Sequence, residues 1–206
     1  MKKSILLLLT SVWLAAVSLG TGVLIVYEYT PGLATNIPSN WPSQSKISHA
    51  TDRPTLIMFA HPDCPCSRAS IGELAVLMTH CQNQVKAHVV FLQPKGYGKD
   101  WLHTDLWQSA EAIPGVLVQA DEEGNEARHF EATTSGQVVL YDALGKLLFS
   151  GGITSSRGHY GDNAGLSAIM KILHHESAET VKTPVFGCSL LDPMSDCTIG
   201  SAACIR

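Results

Sequence analysis

The residues of this sequence that are best suited to take part in a reaction are two cysteines separated by a single proline, Cys64-Pro65-Cys66. A cysteine thiolate attacks disulfides, and its pKa falls at a helix N-terminus, where unpaired N–H groups and the helix dipole favour negative charge. Proline lacks an N–H and has a φ suited to the first helical turn, so Pro65 favours a helix start here. The spacing predicts a redox pair with Cys64 as the nucleophile and Cys66 as the resolving thiol.

Four further side chains are expected to support this pair. His61 precedes it, and Ser67 directly follows it. Arg157 and His159 lie in the glycine-rich segment 151–163, which we expect to return to the same edge of the fold. Arg157 could stabilise a thiolate or sulfenate, and His159 could transfer a proton. The alternative for these two is that they are ordinary surface residues of a loop.

A second chemistry is open to the same residues. The thiolates of Cys64 and Cys66 and the imidazole of His61 form a ligand set that suits Cu(I) or Zn(II). A closed zinc site takes four ligands, and only three are close in sequence. The main expectation is therefore no cofactor and no metal, with a copper-binding metallochaperone as the alternative. A thiol peroxidase is the third reading, although the segment before Cys64 lacks the threonine expected beside a peroxidatic thiol.

Alternating strands and helices are predicted to position these residues. A buried strand covers Thr55–Ala60, and a helix follows whose apolar side chains recur every three or four residues. Further strands are predicted over residues 85–92, 116–120, 137–141 and 146–150, and further helices over residues 104–112 and 166–173. Asp162 or Asn163 is expected to cap the last helix. The pattern predicts an α/β domain with a mixed sheet flanked by helices.

Local sequence points to a known fold. The segment FAHPDCPCSR resembles the strand-to-helix active site of thioredoxin-like proteins, and YDALGK resembles their hairpin. Over residues 54–173, HPDCPCSRASIGEL and TTSGQVVLYDALGKLLFSGGITSSRGHYGDNAG resemble the bacterial RedB-like group. The resemblance implies a thioredoxin-like redox domain but no particular substrate. Two departures are the C-x-C spacing in place of C-x-x-C, and Gly136, beside Ser135, where thioredoxins place a cis-proline.

The N-terminal region is different in kind. Residues 5–27 contain no charged side chain, and this uncharged run is long enough to form a membrane-spanning helix. Lys2 and Lys3 before this run and Glu28 after it favour a signal-anchor with the domain exported, to the periplasmic side of the cytoplasmic membrane. A cleaved signal peptide is the competing interpretation. The domain plan is an anchor over 1–29, a tether over 30–53, a thioredoxin-like domain over 54–176 and a cysteine-containing tail over 177–206.

Composition limits the partners. Charged residues make up 16% of the chain, the net charge is -4, and no basic run follows Lys3, so nucleic acid is not expected as a partner. Protein thiols or disulfides are expected instead. Cys81 is predicted to be buried in a helix face, and Cys188, Cys197 and Cys204 fall in the tail. One of the tail cysteines can pair with Cys81, stay free or join a metal site, and the sequence does not choose among these.

Overall fold

The computed structural model describes residues 2–33 and 35–190 of the chain, and its folded part is built on a five-stranded sheet. The strands are β1 (Thr55–Ala60), β2 (Lys86–Gln93), β3 (Val116–Glu122), β4 (Gln137–Tyr141) and β5 (Leu147–Gly151). The helices are α1 (Lys2–Tyr29), α2 (Pro65–Cys81), α3 (Asp105–Glu111), α4 (Asn125–His129) and α5 (Ala164–Leu173). A single 3-10 turn over Lys99–Trp101 precedes α3.

The strands lie in the order β3-β2-β1-β4-β5. β1 pairs with β2 and β2 pairs with β3 in parallel, whereas β4 runs antiparallel to both β1 and β5. All six residues of β1 are buried, as expected for a central strand covered on both faces. The chain leaves β1 and enters α2 within four residues, so the Cys64 segment lies at the end of the central strand. This is the predicted α/β arrangement of the thioredoxin-like fold, and that prediction is confirmed.

Element boundaries agree with the sequence pattern to within about two residues. The predicted hairpin is present, and Asn163 caps α5 by accepting a hydrogen bond from the Leu166 N–H at 2.7 Å. Helix α4 and the 3-10 turn were not predicted, because each is too short to show an apolar period.

Two apolar layers enclose the sheet. The larger one includes Leu74 and Cys81 of α2, Leu106 of α3 and Ile169 of α5, so Cys81 is buried as predicted. The smaller layer covers the opposite face, where Phe130 follows α4 and packs with residues of β1, β2 and β4.

The smaller layer corrects the prediction of a tether over residues 30–53. Ile47 is 4% exposed, and the Trp41 ring lies 5.1 Å from Phe130 and 5.3 Å from Tyr141. The Tyr141 hydroxyl donates to the Pro38 carbonyl at 2.8 Å. Much of this proline- and serine-rich segment is therefore packed, because the predicted helices leave the second sheet face uncovered and these side chains cover it.

Helix α1 is the one described helix long and apolar enough to cross a membrane, with a mean hydropathy of 2.0 over its apolar window. At 28 residues it is about 42 Å long. Its last turn contacts the domain: the Glu28 carbonyl accepts a hydrogen bond from the Arg157 N–H at 3.1 Å. The helix therefore ends beside the loop that follows β5.

The tail was predicted to be an appendage beyond the core, and for its described part that prediction is wrong. Residues 184–190, called the strap below, pack on the domain with Val185, Phe186 and Leu190 at most 8% exposed. Buried apolar side chains hold an irregular segment here where no helix or strand forms. Cys197 and Cys204 lie outside the described residues.

Candidate redox site

Cys64 is the N-cap residue of α2, and Pro65 is the first residue of that helix. The Cys64 N–H donates to the His61 carbonyl at 3.1 Å, and the Ser67 N–H donates to the Cys64 carbonyl at 3.0 Å. These two bonds turn the chain from strand into helix. The thiol of Cys64 consequently faces the free N–H groups and the positive end of a 17-residue helix, as the sequence predicted.

A third cysteine completes the site. The Sγ atoms of Cys64 and Cys188 lie 3.0 Å apart, and the thiols of Cys64, Cys66 and Cys188 all lie within 4.8 Å of one another. Cys64 is 1% exposed and Cys66 is 8% exposed, whereas Cys188 is partly exposed. Sequence reasoning missed Cys188, because a contact across 124 residues leaves no local pattern, and the only signal was a surplus of cysteines in the tail.

The surroundings of Cys64 favour its thiolate. Its pKa is lowered to about 4, chiefly because the Cys188 thiol donates a hydrogen bond to it. Burial opposes this change, while the Ser67 hydroxyl and the backbone N–H groups of Cys188 and Ser67 reinforce it. The Cys188 proton is shared with the Cys64 sulfur, so the pKa of Cys188 is raised, and burial raises it further. One negative charge therefore settles on Cys64.

A serine pair orients these donors. The hydroxyl oxygens of Ser67 and Ser135 are 2.6 Å apart, and the Ser135 oxygen also accepts the His61 N–H at 2.8 Å. When Ser67 donates to Cys64, Ser135 is left to donate to Ser67, which gives a directed chain of hydrogen bonds. Ser135 precedes Gly136, whose N–H donates to the Phe59 carbonyl at 2.7 Å.

Cys66 is held as the neutral thiol. Burial raises its pKa most, and the charge of Cys64 raises it further. Arg157 works in the opposite direction through a hydrogen bond and its positive charge. The predicted approach of Arg157 to the thiols is therefore present, although its partner is Cys66 and not Cys64.

The two histidines lie at the margin of the site. The His61 Nδ1 accepts the Asp63 N–H at 3.1 Å, and its ring lies 5.7 Å from that of Trp101. Burial lowers the pKa of His61 more than Asp63 and Cys64 raise it, so the ring is neutral near pH 7. His159 lies 3.0 Å from the Glu28 carboxylate, with about half of its side chain exposed. The structure thus brings His159 to the end of α1 and not to the thiols.

The group of described residues that could hold a metal is Cys64, Cys66 and Cys188, and it replaces the predicted set containing His61. Three soft sulfur donors suit Cu(I), whereas a closed zinc site takes a fourth ligand.

Comparisons with known proteins agree on the fold. No family model and no curated protein matches the sequence. Among solved structures, a hypothetical protein from Sinorhizobium meliloti is 14% identical, with a TM-score of 0.60 over 79% of this chain and 97% of that one. An uncharacterized conserved protein from Geobacillus kaustophilus is 18% identical, with a TM-score of 0.56 over 79% and 92%. At these identities the similarity shows a shared fold and says nothing of activity.

A more remote match is the exposed lipoprotein thioredoxin of Streptococcus pneumoniae, which is 15% identical with a TM-score of 0.42 over 61% of this chain and 86% of that one. The thioredoxin-like fold of this chain is recognised from its strand order and not from this match.

Proposed function

We propose that this chain is a membrane-anchored thiol-disulfide oxidoreductase that acts outside the cytoplasm on protein thiols or disulfides. The observation that carries the proposal is the Cys64 thiol at the N-cap of α2, where hydrogen bonds from Cys188 and Ser67 favour the thiolate. A thiolate is the reactive form of cysteine in disulfide exchange. The resemblance to RedB-like proteins supports the same chemistry.

In the proposed reaction the Cys64 thiolate attacks one sulfur of a partner disulfide, and the other partner sulfur leaves as a thiolate. Cys66 then loses its proton and attacks Cys64, which forms the Cys64–Cys66 disulfide and releases the partner as a dithiol. The partner is reduced by two electrons and the site is oxidised by two. Arg157 supports the second step, since it lowers the pKa of Cys66 against burial.

Helix α1 supports the membrane and export parts of the proposal. Its apolar length matches a bilayer core of about 30 Å. Lys2 and Lys3 precede the apolar run, an arrangement that favours a cytoplasmic N-terminus and an exported domain. Since α1 ends against Arg157, the redox site lies close to the end of the anchor.

The direct test is a redox titration of the full-length chain in detergent micelles against glutathione buffers. We expect a reversible two-electron couple that Cys64→Ser abolishes. Cys81→Ala is the matched control, because it removes a buried thiol outside the three-thiol site. A Cys64→Ser protein that still exchanged disulfides would contradict the proposal.

A copper-binding function is the second candidate, favoured by the three thiols within 4.8 Å of one another. The same titration repeated with one equivalent of Cu(I) separates the two functions. A couple that is indifferent to copper supports the oxidoreductase. Tight Cu(I) binding that Cys64→Ser abolishes, with no reversible couple, supports the metallochaperone.

A further inference from the structure

Access to the three thiols is unequal. Cys64 has the lowered pKa, yet its side chain is only 1% exposed, while Cys188 is partly exposed. A macromolecular partner therefore meets Cys188 before it meets Cys64. The contact of 3.0 Å between their Sγ atoms is about 1 Å longer than a disulfide bond, a gap that side-chain rotation can close.

The strap is fixed to the domain on both sides of Cys188. The Ser135 N–H donates to the Cys188 carbonyl at 2.8 Å, and the Leu190 N–H donates to the Thr133 carbonyl at 2.8 Å. Arg157 Nη1 donates to the Gly187 carbonyl at 2.6 Å. The backbone around Cys188 is thus held by hydrogen bonds, so its thiol is directed at Cys64 by the fold.

Gly187 shows how closely the strap approaches. A Cβ atom at this position would lie 1.8 Å from the Ser135 carbonyl oxygen, which is backbone and cannot rotate away. The side-chain hydroxyl of the same residue, Ser135, contacts the hydroxyl of Ser67. Glycine at 187 therefore permits the approach that brings Cys188 to the site.

We propose that Cys188 is a third redox cysteine, which forms a disulfide with Cys64 and presents the sulfur that a partner thiolate attacks. This inference rests on the proposed function, because it takes Cys64 to be redox-active. The class of substrate it implies is a protein dithiol that reaches the strap surface.

A partner thiolate attacks the Cys188 sulfur of the Cys64–Cys188 disulfide, a bond forms between the partner and Cys188, and Cys64 leaves as a thiolate. Although Cys188 no longer has a thiol proton to donate, the Ser67 hydroxyl and backbone N–H still stabilise the departing Cys64 thiolate at the N-terminus of α2, which favours cleavage in this direction. The second thiol of the partner then loses its proton and attacks the partner sulfur that is bonded to Cys188. A disulfide forms within the partner, and Cys188 leaves as a thiolate and takes up a proton. The partner is oxidised by two electrons and the Cys64–Cys188 pair is reduced by two.

Cys66 adds an internal step. Its thiolate can attack Cys64 in the Cys64–Cys188 disulfide and release Cys188, since the three sulfurs lie within 4.8 Å of one another. This exchange moves the disulfide from the partly exposed position to the buried pair without a change in oxidation state. Cys64 is the sulfur common to both disulfides.

The test uses the full-length Cys66→Ser chain in detergent micelles, oxidised with glutathione disulfide and mapped by mass spectrometry after the free thiols are alkylated. We expect the Cys64 peptide to be linked to the Cys188 peptide in most molecules. Brief treatment with excess glutathione and an acid quench should then place glutathione on Cys188. Glutathione found on Cys64 would overturn the assigned point of attack.

The outcomes separate this inference from the proposed function. If Cys188 stays free in Cys66→Ser, or pairs with Cys197 or Cys204, while Cys188→Ser still forms a reversible Cys64–Cys66 disulfide, only this inference fails. If Cys64 forms no disulfide in either variant, the oxidoreductase proposal fails with it. Cys81→Ala should leave the wild-type disulfide map unchanged, because Cys81 is buried in the larger core layer.

Discussion

The guanidinium carbon of Arg157 lies 4.8 Å from the centre of the Tyr27 ring, so one side chain contacts both the N-terminal helix and the redox site. Its Nε donates to the Tyr27 carbonyl at 3.1 Å, and its Nη1 donates to the Gly187 carbonyl of the strap. Helix α1, the strap and Cys66 therefore meet at one cation.

Replacement of Arg157 by glutamine should raise the pKa of Cys66, because the positive charge that lowers it is lost. The thiolate absorbance of Cys66, titrated in a Cys64→Ser/Cys188→Ser background, measures this directly. Arg53→Gln is the control, since Arg53 bonds to the Asn83 carbonyl near the far end of α2. An unmoved Cys66 titration in Arg157→Gln would remove Arg157 from the site chemistry.

The donors around Cys64 should contribute in a fixed order. Cys188→Ala should raise the pKa of Cys64 from about 4 by more than Ser67→Ala does, since the Cys188 thiol is the largest cause of the lowered value. Cys188→Ser should recover part of the effect, because a hydroxyl can still donate. The thiolate absorbance of the reduced protein between pH 3 and pH 9 follows each change. The order would be refuted by a larger shift in Ser67→Ala.

Gly187→Ala should displace the strap, because the new Cβ would meet the Ser135 carbonyl oxygen at 1.8 Å. We expect a lower yield of the Cys64–Cys188 disulfide and a raised pKa of Cys64, with the fold retained by circular dichroism. Gly98→Ala is the matched control, since nothing lies within 4 Å of a Cβ at that position. Equal yields in the two variants would show that the strap tolerates the methyl group and is not positioned by Gly187.

His88 should make the protein sensitive to acid. It is 1% exposed within β2, and burial lowers its pKa from 6.5 to about 4. As the pH falls from 6.5 towards 4, the unfolded chain takes up a proton that the folded chain does not, so the free energy of unfolding decreases by up to about 3 kcal/mol.

Urea denaturation of His88→Leu at pH 7 and pH 4.5 tests this, because the variant should lose less stability on acidification than the wild type. The exposed His80 provides the control substitution, His80→Gln, which should leave the wild-type pH dependence in place. The same loss in His88→Leu as in the wild type would assign the acid sensitivity to other groups.

Trp41→Ala should destabilise the fold by about 2–3 kcal/mol, less than a fully buried tryptophan, because Trp41 is only partly buried against Phe130 and Tyr141. The free energy of unfolding from urea titration measures the loss. Leu144→Ala, at a side chain that is 94% exposed in the neighbouring hairpin, should change it little. If Trp41→Ala and Leu144→Ala changed the free energy of unfolding by similar amounts, the segment around Trp41 would be a tether and not part of the core.

The parts of this fold that could be predicted are those with a local cause. Pro65 and the apolar spacing of α2 indicate where the helix begins, and the uninterrupted apolar run of β1 indicates a central strand. Cys64 and Cys66 were found because both lie at that junction. The approach of Arg157 was predicted from the return of the chain after β5, although its partner Cys66 was not.

What the sequence did not disclose depends on long-range packing. Cys188 reaches Cys64 through backbone hydrogen bonds to residues 133–135, and such bonds depend on which segments meet and not on side-chain type. Trp41 and Ile47 lie among prolines and serines, whose composition indicates a tether until an uncovered sheet face is known. His88 is the one polar residue in the fully buried part of β2, and only its neighbours decide its burial.

The Gly32 N–H donates to the Val185 carbonyl at 2.8 Å, so the stretch that enters the domain runs beside the strap near the described end of the chain. This contact determines at which residue a truncated version of the protein can begin. A water-soluble version that starts at Pro54 would strip Trp41 and Ile47 from the sheet and leave the strap without Gly32, whereas a version that starts just after Tyr29 keeps all three.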